Sequence, residues 1–419
     1  MVSAADKAFL GGLFDAAIAA ADPAHILQGN LPERPRGRTI VIGAGKGVAQ
    51  LAAAFENAWD APLEGVVVTR YGYGAACRNI KVLEAAHPVP DAAGMAASAA
   101  LIEAVSGLSE DDLVVALITG GGSALLPAPP AGFTLADEQA LNRALLASGA
   151  PISAMNAIRK QFSRLKGGRL AALAHPARVV SLIVSDVPGD KAHEVASGPS
   201  VADASGAREA LAAIEAYGIE LSEAMLAQIG AAQAPSPEDA LFHGHEVRVI
   251  ASARLSLEAA ARAAREAGTD AVILSDRIEG EAREVAKMHA AMAWEVRSHA
   301  RPFRPPVVML SGGETTVTLR GSGKGGRNSE FALSLAMSGA GLADFAALAA
   351  DTDGIDGSED NAGAFVDGSS DGRLRALGID PALMLANNDA WSAFDALQDL
   401  FVPGPTGTNV NDFRAILLR

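Results

Sequence analysis

Short apolar runs, each closed by a glycine or polar turn and followed by an alanine-rich stretch of helical length, set the rhythm of the first half of the chain. Residues 39–42 lead into Gly43-Ala-Gly-Lys-Gly47, 65–68 into Thr69-Arg70, 113–118 into Thr119-Gly-Gly-Gly-Ser123, and 179–184 into Ser185-Asp-Val-Pro-Gly-Asp190. Strands apolar at every position are buried on both faces, and helices of crossover length between them predict a parallel sheet in an α/β layer fold. The polar turns then share one edge. Ligand crevices in such sheets lie beyond the carboxyl ends of the strands, where Lys46, Ser123, Asp186 and Asp190 fall. Upstream, Phe9, Leu10, Leu13, Phe14, Ala17 and Ile18 recur at helical spacing with Asp6, Lys7 and Asp15 between them. That pattern predicts an amphipathic first helix, without the basic start and unbroken apolar core of a signal peptide.

Between residues 219 and 245 the texture changes, and Ala231-Ala-Gln-Ala-Pro-Ser-Pro237 reads as a connection between units. The expected domains are therefore 1–240, with a parallel sheet, and 241–419, a second α/β domain. Strand candidates in the second are 246–251, 270–274, 306–310, 315–319, 345–350 and 364–366. Alternation across 315–320, after Ser311-Gly-Gly313, predicts antiparallel or mixed pairing, hence a mixed sheet.

Composition narrows the function classes. The 419 residues carry 34 Lys and Arg against 49 Asp and Glu, a net charge of −15. Such an excess opposes binding to nucleic acid or anionic lipid, whose affinities rest on cations neutralising phosphates. A single cysteine excludes an intrachain disulfide framework and points to a reducing, cytoplasmic setting. The histidines form no HExxH pair, which disfavours a zinc enzyme. No apolar run reaches the roughly 18 residues that a membrane helix needs. The partners expected are small molecules, and any anionic one must be met by local cations and backbone amides.

Several segments could supply them. Gly43-Ala-Gly-Lys-Gly47 lies between a strand and a helix, where backbone amides can meet an anion, and Lys46 would add a point charge. An ordinary tight turn accounts equally for its glycines. The dinucleotide fingerprint fails, since Val48 replaces the third glycine and the next strand ends in Thr69-Arg70 instead of an acid. Thr119-Gly-Gly-Gly-Ser123 is not a hydrolase elbow, so Ser123 reads as a hydrogen-bond donor to substrate, or as a helix cap. Arg159, in Asn156-Ala-Ile-Arg-Lys160, matters only if its segment overhangs the crevice. Asp186 and Asp190 could hold magnesium or accept a proton, or could simply cap a proline-pinned turn. Gly321-Ser-Gly-Lys-Gly-Gly-Arg-Asn328 resembles an anion nest leading into a helix, with Lys324 and Arg327 as its cations; the plainer reading is a hairpin tip. It is not a Walker A loop. Asp351-Thr-Asp-Gly-Ile-Asp356 lacks EF-hand spacing and leaves metal, ribose or turn capping open.

Taken in order, GAGKG at 43–47, HPVPD at 87–91, TGGGSALL at 119–126, NAIRKQFSRLKGGRLA at 156–171, SDVPGDKAHEVASGP at 185–199, SGGETTV at 311–317, GSGKGGRNSE at 321–330, DTDGIDG at 351–357 and GPTGTNVND at 404–412 resemble the glycerate 2-kinase family over nearly the full length. The resemblance implies phosphorylation of D-glycerate on its 2-hydroxyl by Mg-ATP, giving 2-phospho-D-glycerate. It also implies an N-terminal Rossmann-like domain joined to a smaller C-terminal α/β domain, with the active cleft between them. It supports Lys46 and Arg327 as functional residues by their match to the family's GAGKG lysine and GGRN arginine. Where the family pattern reads NNDSY and TGPTGTN, this chain has Asn387-Asn-Asp-Ala-Trp391 and Pro403-Gly-Pro-Thr-Gly-Thr-Asn409; hydroxyl contacts there are lost.

Residue reading and resemblance together give a catalytic set of Lys46, Arg327 and Asp190. Substrate contacts are expected at Lys46, Gly121, Gly122, Ser123 and Arg159. Nucleotide contacts are expected at Gly43, Gly45, Gly313, Lys324, Gly325, Asp351 and Asn409, with Asp186 and Glu314 as magnesium ligands. Two rivals stay in view. One is an NAD(P)H-dependent hydroxypyruvate reductase, prompted by the turn at Gly43 and by Arg70. The other is a non-catalytic, two-lobed binder of organic acids.

Overall fold

The computed structural model describes residues 2–187 and 189–419, so Pro188, the proline expected to pin the turn after residue 184, lies outside the described residues. The chain forms two compact units, Pro23–Ile250 and Met1–Asp22 with Ala251–Arg419. The expected boundary at 240 lies ten residues before this one, and the first helix belongs to the second unit.

In the unit Pro23–Ile250, strands β1 (Thr39–Ala44), β2 (Glu64–Arg70), β3 (Ile80–Ala85), β4 (Leu113–Ile118), β5 (Arg178–Ser185) and β6 (Glu246–Ser252) form one sheet in the order β3-β2-β1-β4-β5-β6. The β1–β2, β2–β3, β1–β4 and β4–β5 pairings are all parallel. β1 and β4 are buried at every position, the doubly covered pattern that the sequence predicts. β3 was not among the expected strands. It is an edge strand whose middle residues, Lys81 to Glu84, are only partly covered, so it lacks the continuous apolar signal. The 3-2-1-4-5-6 order is that of the Rossmann fold, and its topological switch point falls between β1 and β4.

The second unit has a mixed sheet of β7 (Asp270–Ser275), β9 (Val307–Gly313), β11 (Phe345–Asp351), β12 (Gly363–Asp367), β13 (Leu400–Phe401) and β14 (Asp412–Leu418), in the order β13-β12-β11-β14-β9-β7. β14 runs antiparallel between β11 and β9, while β7 and β9 are parallel. A separate two-stranded sheet pairs β8 (Gly280–Glu281) with β10 (Thr315–Thr316), in parallel. The expected strand at 315–319 therefore shrinks to two residues: Thr318 is fastened by its amide and hydroxyl to the Glu281 carboxylate, and Leu319 is 79% exposed. Side-chain tethering, not a ladder, holds that stretch.

Helix Ala4–Ala19, capped when the Ser3 hydroxyl accepts the Asp6 amide at 3.0 Å, buries Leu10, Leu13, Phe14 and Ala17 against Leu257, Ala260, Ala261 and Ala264. Phe14 also meets Phe401 and Phe413 edge-on, at ring separations of 5.0 and 5.8 Å. Burying such a side chain contributes about 1.5–3 kcal/mol, which explains why the first helix stays with the second unit. Helices Ala282–His299 and Arg327–Ser338 cover the opposite face of the sheet.

His289, 1% exposed, links these layers through Val285 O at 2.9 Å and Ser311 Oγ at 3.0 Å. Burial, reinforced by the nearby Arg414 charge, lowers its pKa from 6.5 to about 4. Because the unfolded chain binds this proton more readily, the stabilisation is complete above pH 6.5 and fades as pH falls towards 4. About 2 kcal/mol should be lost by pH 5 on this account. Urea unfolding at pH 7 and pH 5 should show a smaller loss in His289→Asn than in the parent; equal losses would exonerate His289.

Candidate active site

Lys46 follows β1 and opens the turn into helix Val48–Ala58. The turn is closed by its own protein: Gly45 N–H donates to Val68 O at 3.1 Å, Lys46 N–H to Gly120 O at 2.8 Å, Gly47 N–H to Thr119 Oγ1 at 3.2 Å and Val48 N–H to Gly45 O at 3.4 Å. The backbone cradle expected at Gly43 and Gly45 is thus spent on joining β1 to β2 and β4. Gly43 is buried within β1 opposite Leu117. Gly45 has φ +138°, and a Cβ there would lie 2.1 Å from Thr119 Oγ1 and 2.3 Å from Thr119 O. Gly45→Ala should cost at least about 2 kcal/mol through strain and overpacking, measured by urea unfolding; unchanged stability would mean that the turn relaxes freely.

What the turn leaves for chemistry is a side chain. The Lys46 ammonium, half-buried, makes no ion pair among the described residues, whereas buried Lys160 and Lys166 are both paired, the latter to Glu138 at 2.9 Å. After β4, Gly121 turns with φ +78°, and a Cβ on it would lie 2.9 Å from Lys46 Cγ and 3.3 Å from His87 Nε2. A Cβ on Gly120 would strike the Asp186 carboxylate. Lys46, the glycines 120–122 and Asp186 therefore meet at the carboxyl ends of β1, β4 and β5. The short helix Gly122–Leu125 opens there, and first-turn amides have no partner within their own helix.

Ser123 Oγ is 2.8 Å from Ser197 Oγ, whose hydroxyl donates to Asn156 Oδ1 at 2.9 Å. Arg159 donates to the same Asn156 oxygen at 3.3 Å and to Asn142 Oδ1 at 3.0 Å. Arg159 and Ser123 thus belong to one network. Asp190 follows Gly189 in a left-handed conformation, φ 54°, on the loop after β5. Ser197, Asn156 and His87 escaped the sequence reading as individuals, although each lies in a quoted motif. His193, Glu194 and Asp203 sit close enough to hold a metal, but Glu194 and Asp203 already pair with Lys160.

In the second unit Arg327 heads helix Arg327–Ser338, and each of its three side-chain nitrogens donates to a carboxylate. Nε donates to Asp412 at 2.6 Å, Nη1 to Glu314 at 2.9 Å and Nη2 to Asp351 at 2.8 Å. Asp412, fully buried, also accepts from Asn328 Nδ2 at 2.8 Å and from the amide and hydroxyl of Thr315, both at 3.0 Å, and pairs with Arg414. Burial opposes the Arg327 charge, but Asp412, Asp351 and Glu314 outweigh it and hold its pKa above the usual value. Burial raises the Asp351 carboxyl despite Arg327, whereas Arg414 and Arg327 overcome burial at Asp412 and keep it ionised. Asp356 caps the helix from outside, accepting the Asn328 and Ser329 amides at 2.9 and 2.7 Å. One signal for Asp412 was available: Asp412 and Arg414 share a face of an otherwise apolar strand, and two charges so placed in a buried strand must pair.

A cavity of about 490 Å³ adjoins Arg327, with Asp351, Gly325, Thr316, Val317 and Ala390 in its wall. Gly313 pairs with Asp412 across β9 and β14 and is not among the residues lining that cavity. The glycine-rich loop before Arg327 is not an open nest: Gly321 N–H donates to Asn388 Oδ1, Ser322 to Asn387 Oδ1, Gly323 to Asn387 O and Lys324 to Asp389 Oδ1, at 3.0–3.3 Å. Lys324 itself reaches Glu359 at 3.3 Å and lies 4.9 Å over the Trp391 ring. Asn409 accepts the Asn411 amide at 3.0 Å. These last two side chains are thus tied to local partners.

A domain of unknown function, DUF4147, matches residues 9–230, and the MOFRL family matches residues 307–412. A D-glycerate 2-kinase of Thermotoga maritima is 39% identical over 397 residues, covering 94% of this chain and 94% of the relative. The crystal structure of a glycerate kinase from Thermotoga maritima matches with a TM-score of 0.90 at 37% identity, covering 99% of each chain. The chain belongs to the glycerate 2-kinase family. As a member of this family it is a kinase, built on the two α/β units that the family resemblance implied. A relative in Agrobacterium vitis, 51% identical over 409 residues and covering 97% of this chain and 93% of its own, bears the provisional name hydroxypyruvate reductase. Among the described residues no helix is long and apolar enough to cross a membrane.

Proposed function

We propose that this enzyme transfers the γ-phosphoryl group of ATP to the 2-hydroxyl of D-glycerate, giving 2-phospho-D-glycerate and ADP, in the cytoplasm. The observation that carries the reading is the turn at Lys46: its amides serve the protein while its ammonium makes no ion pair among the described residues. A point charge of this kind suits a compact carboxylate or phosphate, whereas the pyrophosphate of a nicotinamide dinucleotide relies on backbone amides at the same turn.

Phosphoryl transfer asks a protein chiefly for positioning and for cancellation of charge on the transferring group. Lys46, Ser123 and the amides of residues 120–122 are assigned to substrate oxygens, with Arg159 holding Ser123 in place through Asn156 and Ser197. The cavity beside Arg327 is assigned to the nucleotide. Asp412 and Asp351 lock two branches of the Arg327 fork, and Glu314, 52% exposed, occupies the third. That outer branch is the one able to exchange its carboxylate for a phosphate oxygen.

Magnesium takes carboxylate oxygens together with substrate phosphates, and Glu314 and Asp351 offer that donor set. Burial penalises the Asp351 charge, a cost that a cation would offset, so these residues fit the ion. Bound there, magnesium would neutralise and orient phosphate oxygens. Asp190 or Asp186 takes the proton of the 2-hydroxyl.

The name borne by the Agrobacterium vitis relative favours a second reading, reduction of hydroxypyruvate. One pair of assays separates the two. Phosphorus NMR of a reaction containing ATP, magnesium and D-glycerate should show a secondary phosphate ester, while NADPH absorbance stays flat on adding hydroxypyruvate. NADPH oxidation without ester formation would replace the kinase reading.

A further inference from the structure

His87 takes no part in the assignments above, yet it reaches the same glycine as Lys46. It lies just beyond the end of β3, an edge strand. Asp91 pins its loop, accepting the Ala86 amide at 3.3 Å, the Gly94 amide at 3.0 Å and the Tyr71 hydroxyl at 2.7 Å. So held, the loop carries the imidazole from the sheet edge to the turn after β4, where Nε2 would lie 3.3 Å from a Cβ on Gly121. The Lys46 stem lies against the same point, at 2.9 and 3.1 Å from Cγ and Cε. Even one carbon on Gly121 would crowd both side chains, so the glycine lets the ammonium arm and the imidazole close up side by side; Lys46, His87 and Gly121 are each only partly buried, and the pair borders solvent at this turn. We infer that His87 is a substrate-binding residue, its Nε2 hydrogen-bonding the small hydroxy acid whose charge Lys46 neutralises.

The electrostatics suit that role. Burial lowers the imidazole pKa to about 4, and the Lys46 and Arg70 charges push in the same direction, so the ring is neutral near pH 7. A neutral ring offers one donor and one acceptor. It can therefore select a ligand bearing a hydroxyl beside a carboxylate without adding to the charge that Lys46 already supplies. A second cation would instead favour any dianion.

The inference rests on the kinase reading for the identity of the acid, and the test keeps the two apart. His87→Ala should raise KM for D-glycerate about 10-fold or more, the scale of one lost hydrogen bond, with KM for ATP changed less than 2-fold. His87→Gln, which keeps a neutral hydrogen-bonding group at similar reach, should recover most of the loss. Equal rises in both KM values, or no change for D-glycerate, would overturn the inference. In the unmodified enzyme, the imidazole ¹H–¹³C signal absent from His87→Gln should move on titration with D-glycerate alone; a signal that stays still at saturating acid would also overturn it. Absence of ADP release by the unmodified enzyme with ATP and D-glycerate would defeat the kinase reading, while the imidazole titration, run without nucleotide, would still decide the role of His87.

Discussion

Lys46→Ala is expected to lower kcat about 100-fold or more, the scale on which a preorganised donor to developing negative charge acts, while leaving thermal unfolding within a few degrees of the parent. The expectation follows from a division of labour within one residue. The main chain of Lys46 builds the turn, its amide donating to Gly120 O and its carbonyl accepting from Thr69 Oγ1 at 3.0 Å. Alanine keeps both bonds. Only the ammonium is lost, and it has no carboxylate among the described residues to leave unpaired. Steady-state ADP release with calorimetry on the same sample checks both halves. Full turnover in Lys46→Ala would discard the assignment, and a collapse in stability would make the residue structural.

Arg327→Ala should behave differently, losing both activity and stability. Turnover should again fall about 100-fold or more. Removing the guanidinium also leaves Asp412, fully buried, and Asp351 with one cation fewer, and breaking a buried pair by deleting one partner costs about 3–5 kcal/mol. Arg327→Lys separates the two effects. A lysine returns the charge but cannot reach three carboxylates with a planar fork, so stability should recover in part while kcat stays low. Near-normal kcat in folded Arg327→Lys would reduce the arginine to a structural cation. If both residues act on one transferring group, the double alanine variant should lose less than the product of the single losses; strictly multiplicative losses would assign them to independent steps.

Both residues stood out in the sequence, but for reasons only partly shared with the structure. Lys46 reads from the sequence as a point charge beside turn amides that could meet an anion; in the structure those amides donate to Val68, Gly120, Thr119 and Gly45. Arg327 reads from the sequence as a cation of an anion nest at a helix start; in the structure its three nitrogens are held by carboxylates from β11, β14 and the Glu314 turn. Hydrogen-bond partners that arrive from distant segments leave no local trace, so glycine spacing alone cannot tell an open cradle from a closed turn. Asp412 shows the same limit from the other side, since its importance comes from what converges on it.

The parallel first sheet, the mixed second sheet and the positions of the polar turns were legible in the residues, because apolar strands covered on both faces write their burial into every position. The ordered motifs carried family membership. Which unit claims the first helix, which amides are already spent, and which side chains share Gly121 were settled by contacts between residues far apart along the chain. Those contacts depend on the shape of two packed surfaces, and the pattern along either one does not encode its partner.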